Sequence, residues 1–112
     1  MSDVTNIKTI TNQLLFPATV RNGENTQQTF TVASSSGWNG DLWIPWVVSA
    51  NDMWKSILLE WPAASIYIFQ HSDHIWFSWK NDFNNKAVLG GNSGIRGEKA
   101  LIIASDTNVY LA

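Results

Sequence analysis

The sequence contains no cysteine, which excludes a disulfide framework and thiolate metal sites. Charged residues make up only 14% of the chain, below the roughly 25% that is typical of soluble domains. No apolar run approaches the ~20 residues that a membrane-spanning helix requires. The surface polarity must therefore come mainly from uncharged groups such as Asn, Ser, Thr and Gln, and we expect a soluble protein with many hydrogen-bonding side chains.

A cluster of basic residues is also lacking. The formal net charge is −2, and the seven Lys and Arg residues are scattered singly along the chain. A nucleic-acid-binding module normally presents a basic stripe to the phosphates, so we expect no nucleic-acid partner. No basic segment followed by an apolar one comes after Met1, which predicts a cytoplasmic protein or one released without a classical signal peptide.

Short alternating segments bounded by turn residues dominate the 112 residues. They predict a mostly β protein: a single domain spanning residues 1–112, folded as an antiparallel β-sandwich or a small barrel. Asn22-Gly23 is typical of a hairpin turn, and Ser72-Asp73 has the length and chemistry of a two-residue turn. The second turn would place Ile66, Ile68, Ile75 and Phe77 in a central hairpin.

The first segment, residues 4–15, is ambiguous. Val4, Ile7 and Leu14 recur at helical spacing, whereas the threonines among them favour a strand. We expect a short amphipathic helix here, which Pro17 would prevent from continuing.

Tryptophan is unusually abundant, with seven residues in a chain of this length. They cannot all fit one small core, so two to four should be partly exposed. A sugar ring has an apolar face that stacks on an aromatic plane and a rim of hydroxyls that bind Asn, Asp and backbone groups. Exposed Trp beside Asn or Asp on loops therefore predicts glycan binding.

Two clusters have this composition. The first is expected on a loop between strands and consists of Trp38, Asn39, Asp41 and Trp43. The second consists of Trp79, Asn81, Asp82 and Asn84. The alternative for most of these tryptophans is a place in the core or in a subunit interface.

Catalytic and metal-binding patterns are weak. His71, Asp73 and His74 lie close in sequence but lack a further protein ligand nearby, so a solvated turn is the better interpretation. The carboxylates show no spacing that supports acid–base hydrolysis, and no nucleophile elbow occurs. The glycine-rich segment 90–99 lacks the Gly-Lys-Ser/Thr ending of a phosphate-binding loop. We expect no enzyme activity, no catalytic residues, no cofactor and no metal.

In overall character the chain resembles the small, cysteine-free lectins and immunomodulatory proteins of fungal fruiting bodies. The resemblance lies in its length, the Met1-Ser2 start, a helix expected before a β-sandwich, and abundant Trp and Asn. It implies binding to glycans or glycoproteins, haemagglutination and a homodimer.

Other functions stay open. Exposed tryptophan would also suit a membrane-active protein that binds lipid or lyses cells, although a basic amphipathic helix is missing. A third possibility is a structural or inhibitory protein whose tryptophans contact one protein partner. Apolar residues such as Trp43, Pro45 and Val47 independently favour a homodimer, with the N-terminal helix or an edge strand as its seam.

Overall fold

Alternation of buried and exposed side chains along the chain produces short strands throughout. The computed structural model describes residues 4–80 and 82–112. Two 3₁₀ helices, Ala50–Lys55 and Phe83–Asn85, interrupt the strands. The strands are β1 (Thr5–Asn12), β2 (Ala18–Asn22), β3 (Thr29–Val32), β4 (Ser36–Trp43), β5 (Ile57–Trp61), β6 (Ala64–His71), β7 (His74–Ser78), β8 (Ala87–Val88), β9 (Gly90–Gly91), β10 (Gly97–Ser105) and β11 (Asn108–Leu111).

These strands form two separate sheets. The first has the order β4-β1-β10-β11-β9, and the second has the order β3-β2-β5-β6-β7-β8. The mostly β prediction is confirmed, and the arrangement matches the sandwich alternative. The first sheet is mixed, however, because β1 pairs with β10 and β11 pairs with β9 in parallel.

The core lies between the inward faces of both sheets. Ile7 and Leu101 come from the first sheet and Leu59 and Ile66 from the second, and all four are fully buried. In the predicted central hairpin of β6 and β7, Ile66, Ile68 and Ile75 are fully buried, while Phe77 packs against the core at partial burial. That prediction is confirmed.

The N-terminal helix prediction for residues 4–15 is wrong, because this segment forms strand β1. The register of β1 shifts between Ile7 and Thr9, so Ile7 and Ile10 both face the core although they are three residues apart. A β-bulge therefore produced the helix-like spacing. Strand β1 lies inside its sheet, between β4 and β10, so it offers neither a helix nor a free edge as a dimer seam.

The hairpin predicted around Asn22-Gly23 is confirmed as β2 and β3, but the role of the glycine differs from the prediction. The connection runs over residues 23–28, and Gly23 donates its N–H to the carbonyl of Ser56 (3.1 Å). A Cβ on Gly23 would lie 2.1 Å from the carbonyl oxygen of Trp54. Glycine is therefore required here for close approach of two backbones.

After β4 the chain crosses to the second sheet and covers part of its outer face. Strand β4 stops at Trp43, and Pro45, which cannot donate a hydrogen bond to a strand ladder, follows two residues later. The backbone of Gln70 in β6 then bonds to Pro45 and Val47, with both distances at 2.8 Å. Val47, Met53 and Phe69 form a second small core on that outer face. This crossing places the 3₁₀ helix Ala50–Lys55 beside the open part of the sheet.

Candidate functional site

A groove of about 420 Å³ lies where the 3₁₀ helix Ala50–Lys55 meets the outer face of the second sheet. Its walls come from three separate parts of the chain: the β2 hairpin, the crossing segment, and strands β5 and β6. The lining residues are Arg21, Gly23, Thr26, Met53, Trp54, Ser56, Leu58 and Tyr67.

The floor of the groove is a row of side chains that crosses three strands. Arg21 of β2 pairs with Leu58 of β5, and Leu58 pairs with Tyr67 of β6. Their strand neighbours on either side are buried in the core, so these three side chains face outward. The backbones of Arg21 and Tyr67 are two strand spacings apart, a distance of about 10 Å.

The walls stand on either side of this row. Met53 anchors the 3₁₀ helix by packing into the second core, which leaves the next residue, Trp54, directed away from it. On the other side, Gly23 touches the backbone of residues 54–56 and brings the β2–β3 connection, with Thr26, against the groove. The glycine therefore holds two walls of the groove together.

Trp54 is 63% exposed. The Lys55 ammonium lies 5.7 Å from the centroid of the Trp54 ring, and it also lies 3.8 Å from the carboxylate of Asp52. Trp61 and Trp76 donate their indole N–H groups to Asp106 and to the His71 carbonyl, respectively. Within residues 4–80 and 82–112, the Trp54 indole has no such partner.

Several other polar side chains at the groove also have no hydrogen-bond partner among the described residues. Among the described residues, no hydrogen bond engages the guanidinium of Arg21 or the hydroxyls of Thr26 and Tyr67. The groove thus combines the aromatic plane of Trp54 and the apolar side chain of Leu58 with hydrogen-bonding groups that a ligand could engage. Ligand pockets commonly pair an apolar lining with a few polar groups in this way.

The first predicted cluster is not a loop, because Trp38 belongs to strand β4. Its ring faces inward and stacks on Phe30, with a centroid distance of 4.4 Å and an interplanar angle of 13°. A Cβ on Gly40 would lie 2.5 Å from that ring, so the glycine makes room for the indole. The Trp38 ring therefore packs between the two sheets.

The other members of that cluster alternate on the outer face of β4. Asn39 and Asp41 are exposed, and Trp43 is 51% exposed. The Asp41 carboxylate accepts hydrogen bonds from Asn6 (2.8 Å) and from Lys8 (2.7 Å). The structure brings these side chains together on the first sheet, away from the groove on the second.

The ion pair with Lys8 changes the titration of the Asp41 carboxyl group. The hydrogen bond from Lys8 lowers the pKa of Asp41 below 3.8, and the one from Asn6 acts in the same direction. Because the pKa of Asp41 is lowered on folding, its contribution to stability is present above pH 3.8 and is lost as the pH falls through the folded-state value.

We expect Lys8→Met to move the NMR titration midpoint of the Asp41 carboxyl upward, towards but not fully to its ordinary value, since Asn6 still donates. Lys55→Met, which removes a lysine elsewhere, should leave that midpoint in place. An Asp41 titration midpoint that is unchanged in the Lys8→Met variant would contradict this interpretation.

The second predicted cluster is partly used for structure. Trp79 is 39% exposed and packs edge-on against Trp61 and Phe77. Asp82 caps the 3₁₀ helix Phe83–Asn85 by accepting a hydrogen bond from the Asn84 backbone (3.0 Å), and the Asn84 side chain is exposed. Asn81 lies outside the described residues. A smaller groove of about 250 Å³ is lined here by Ser78, Trp79, Lys80 and Asn85.

The two histidines near the β6–β7 turn are engaged separately. His71 donates from Nδ1 to the Val47 carbonyl (2.9 Å), while Nδ1 of His74 lies 2.8 Å from the Asp73 carboxylate. In the described part of the chain, no group of three His, Cys, Asp or Glu side chains could hold a metal ion.

Comparisons with other proteins do not add to this description. No family model, curated protein or solved structure matches the chain. Across residues 4–80 and 82–112, none of the helices has the length and apolar character needed to cross a membrane.

Sequence reasoning missed the groove. The tryptophan count was informative, and three tryptophans, at positions 43, 54 and 79, are among the exposed large apolar residues. Trp54 has Met53 and Lys55 as its neighbours in sequence, whereas Trp38 is followed directly by Asn39. Only the crossing of residues 44–56 over the second sheet brings Trp54 to Arg21 and Tyr67.

Proposed function

We propose that the protein binds carbohydrate in the groove of Trp54, and not at the two clusters predicted from the sequence. One observation carries the proposal: the most exposed of the seven tryptophans lines a groove of about 420 Å³. Among the described residues, the Arg21, Thr26 and Tyr67 side chains in that groove make no hydrogen bond that a ligand would have to break. An exposed indole costs solubility, and this one sits where a ligand could cover it.

The chemistry of the groove suits a sugar. The apolar C–H face of a pyranose would lie against the Trp54 ring and Leu58, burying apolar surface on both partners. The hydroxyl rim would then meet the Thr26 and Tyr67 hydroxyls and the Arg21 guanidinium, which supply both donors and acceptors.

Binding without turnover is the proposed activity. The groove lining contains no carboxylate and no imidazole. Hydrolysis of a glycosidic bond normally uses two carboxyl groups on either side of that bond. The side chains that line this groove are therefore better suited to holding a saccharide than to cleaving it.

A second candidate function is contact with a lipid surface. Leu15 is 84% exposed and is followed by exposed Phe16 on the connection between β1 and β2. Two neighbouring apolar side chains on a loop tip could insert into the headgroup region of a bilayer. This site and the groove involve different residues, so the two functions can be tested separately.

A glycan-array screen of the whole chain, run beside flotation with plain phosphatidylcholine vesicles, tests the proposal. Carbohydrate binding predicts saturable signals on a related subset of glycans and no flotation. A blank array with folded protein would overturn the proposal, and flotation lost in Leu15→Ser would then support the lipid-binding candidate.

A further inference from the structure

The larger groove carries one formal charge, and that charge is positive. Arg21 is the only lining residue that is ionised at neutral pH. It is exposed, and within the described residues no acid lies within ion-pair distance of it. Asp52 is paired with Lys55. Glu60 of β5 stands opposite Thr19, two cross-strand pairs along from Arg21 and Leu58.

The smaller groove lies at the end of β7, the strand next to β6. Tyr67, which lines the larger groove, pairs with Ser78, which lines the smaller groove and is itself buried. Lys80 is exposed and also lines the smaller groove. A cationic side chain therefore lines each of these two grooves, in a protein whose net charge is −2.

We infer that the saccharide bound here is an acidic oligosaccharide, with a carboxylate or sulfate on Arg21 and further acidic units directed towards Lys80. The inference rests on the proposed function and narrows its ligand class. A guanidinium binds a carboxylate or sulfate through two parallel hydrogen bonds, which a lysine cannot reproduce. Trp54 would hold a sugar ring next to that anchored acid.

The test compares one oligosaccharide in two forms. A uronic-acid hexasaccharide and its carboxyl-reduced, neutral counterpart have the same linkage and ring faces, so their affinities differ through charge. Titration calorimetry should give at least about tenfold tighter binding of the acidic form, since hydrogen bonds to charged groups are the stronger ones. The preference should shrink as salt is raised, because the paired charges are close to solvent.

Arg21→Gln should remove most of the preference, and Arg21→Lys should restore only part of it. Lys8→Gln removes one positive charge from the other sheet and serves as the matched control, which should keep the preference intact. Equal affinity for the two forms overturns the acidic-ligand inference but leaves carbohydrate binding standing. A preference that survives Arg21→Gln also overturns it, and failure of every saccharide on the array overturns both proposals.

Discussion

Trp54→Ala is expected to weaken binding of an array-selected glycan by about 30-fold, equivalent to about 2 kcal/mol, as is common for a tryptophan at the centre of a binding site. The physical reason is the loss of the aromatic plane that the sugar would cover. Trp54 is 63% exposed in the free protein, so its removal creates no cavity in the core. Calorimetric titration of the purified variant measures the effect.

Trp43→Ala supplies the matched control. Trp43 is 51% exposed but stands on β4 of the first sheet, away from the groove. Both changes are at the surface, so each should alter the free energy of unfolding by no more than about 0.5 kcal/mol. Equal loss of affinity in the two variants, or loss in Trp43→Ala alone, would place the binding site elsewhere.

The second large effect concerns a buried polar network that joins the two sheets. Gln70 of the second sheet is fully buried and donates from Nε2 to the Ile44 carbonyl (2.9 Å). Its Oε1 accepts a hydrogen bond from the hydroxyl of Thr5 in the first sheet (2.6 Å). The same hydroxyl accepts the backbone N–H of Arg96 (2.7 Å). One side chain thus connects three parts of the fold.

Gln70→Leu is expected to lower the free energy of unfolding by about 2 to 4 kcal/mol, because each buried polar group left without a partner costs about 1 to 3 kcal/mol. The Ile44 carbonyl would lose the donor on Gln70, and the Thr5 O–H would lose its acceptor. Urea denaturation monitored by tryptophan fluorescence measures the change. Gln27→Leu, at an exposed position of the β2–β3 connection, should change stability by less than about 0.5 kcal/mol.

The double variant Thr5→Val/Gln70→Leu separates the network from simple packing. Removing both partners eliminates an unsatisfied hydroxyl, so the combined loss should be at least about 1 kcal/mol smaller than the sum of the single losses. Strict additivity, or a Gln70→Leu protein as stable as the parent, would show that these hydrogen bonds do not stabilise the fold.

Local patterns were sufficient to predict much of the second sheet. In β6 and β7 the alternation of apolar and polar residues and the Ser72-Asp73 turn act within a few residues of each other. The error in β1 has a different origin, since the bulge between Ile7 and Thr9 is stabilised by pairing with β4 and β10. The parallel pairing of β1 with β10 joins residues about as far apart as the chain allows, beyond any local pattern.

The sequence predicted the kind of side chain that forms the candidate site, but not where in the fold the site lies. The abundance of tryptophan indicated exposed aromatic surface, but local composition favoured Trp38 over Trp54. Gly40, two residues after Trp38, makes room for the inward-facing Trp38 ring. The groove joins Arg21, Trp54 and Tyr67, whose proximity depends on strand register and on where the crossing segment lies.

The most direct test of carbohydrate binding at the groove is an NMR titration that follows the indole N–H resonances of the seven tryptophans, assigned by single substitutions. With an array-selected glycan, we predict that the Trp54 indole shows the largest saturable shift, while those of Trp43 and Trp38 stay nearly unchanged. If the largest shift belongs to Trp43 or Trp79, or if no indole moves while the protein stays folded, the groove is not the carbohydrate site.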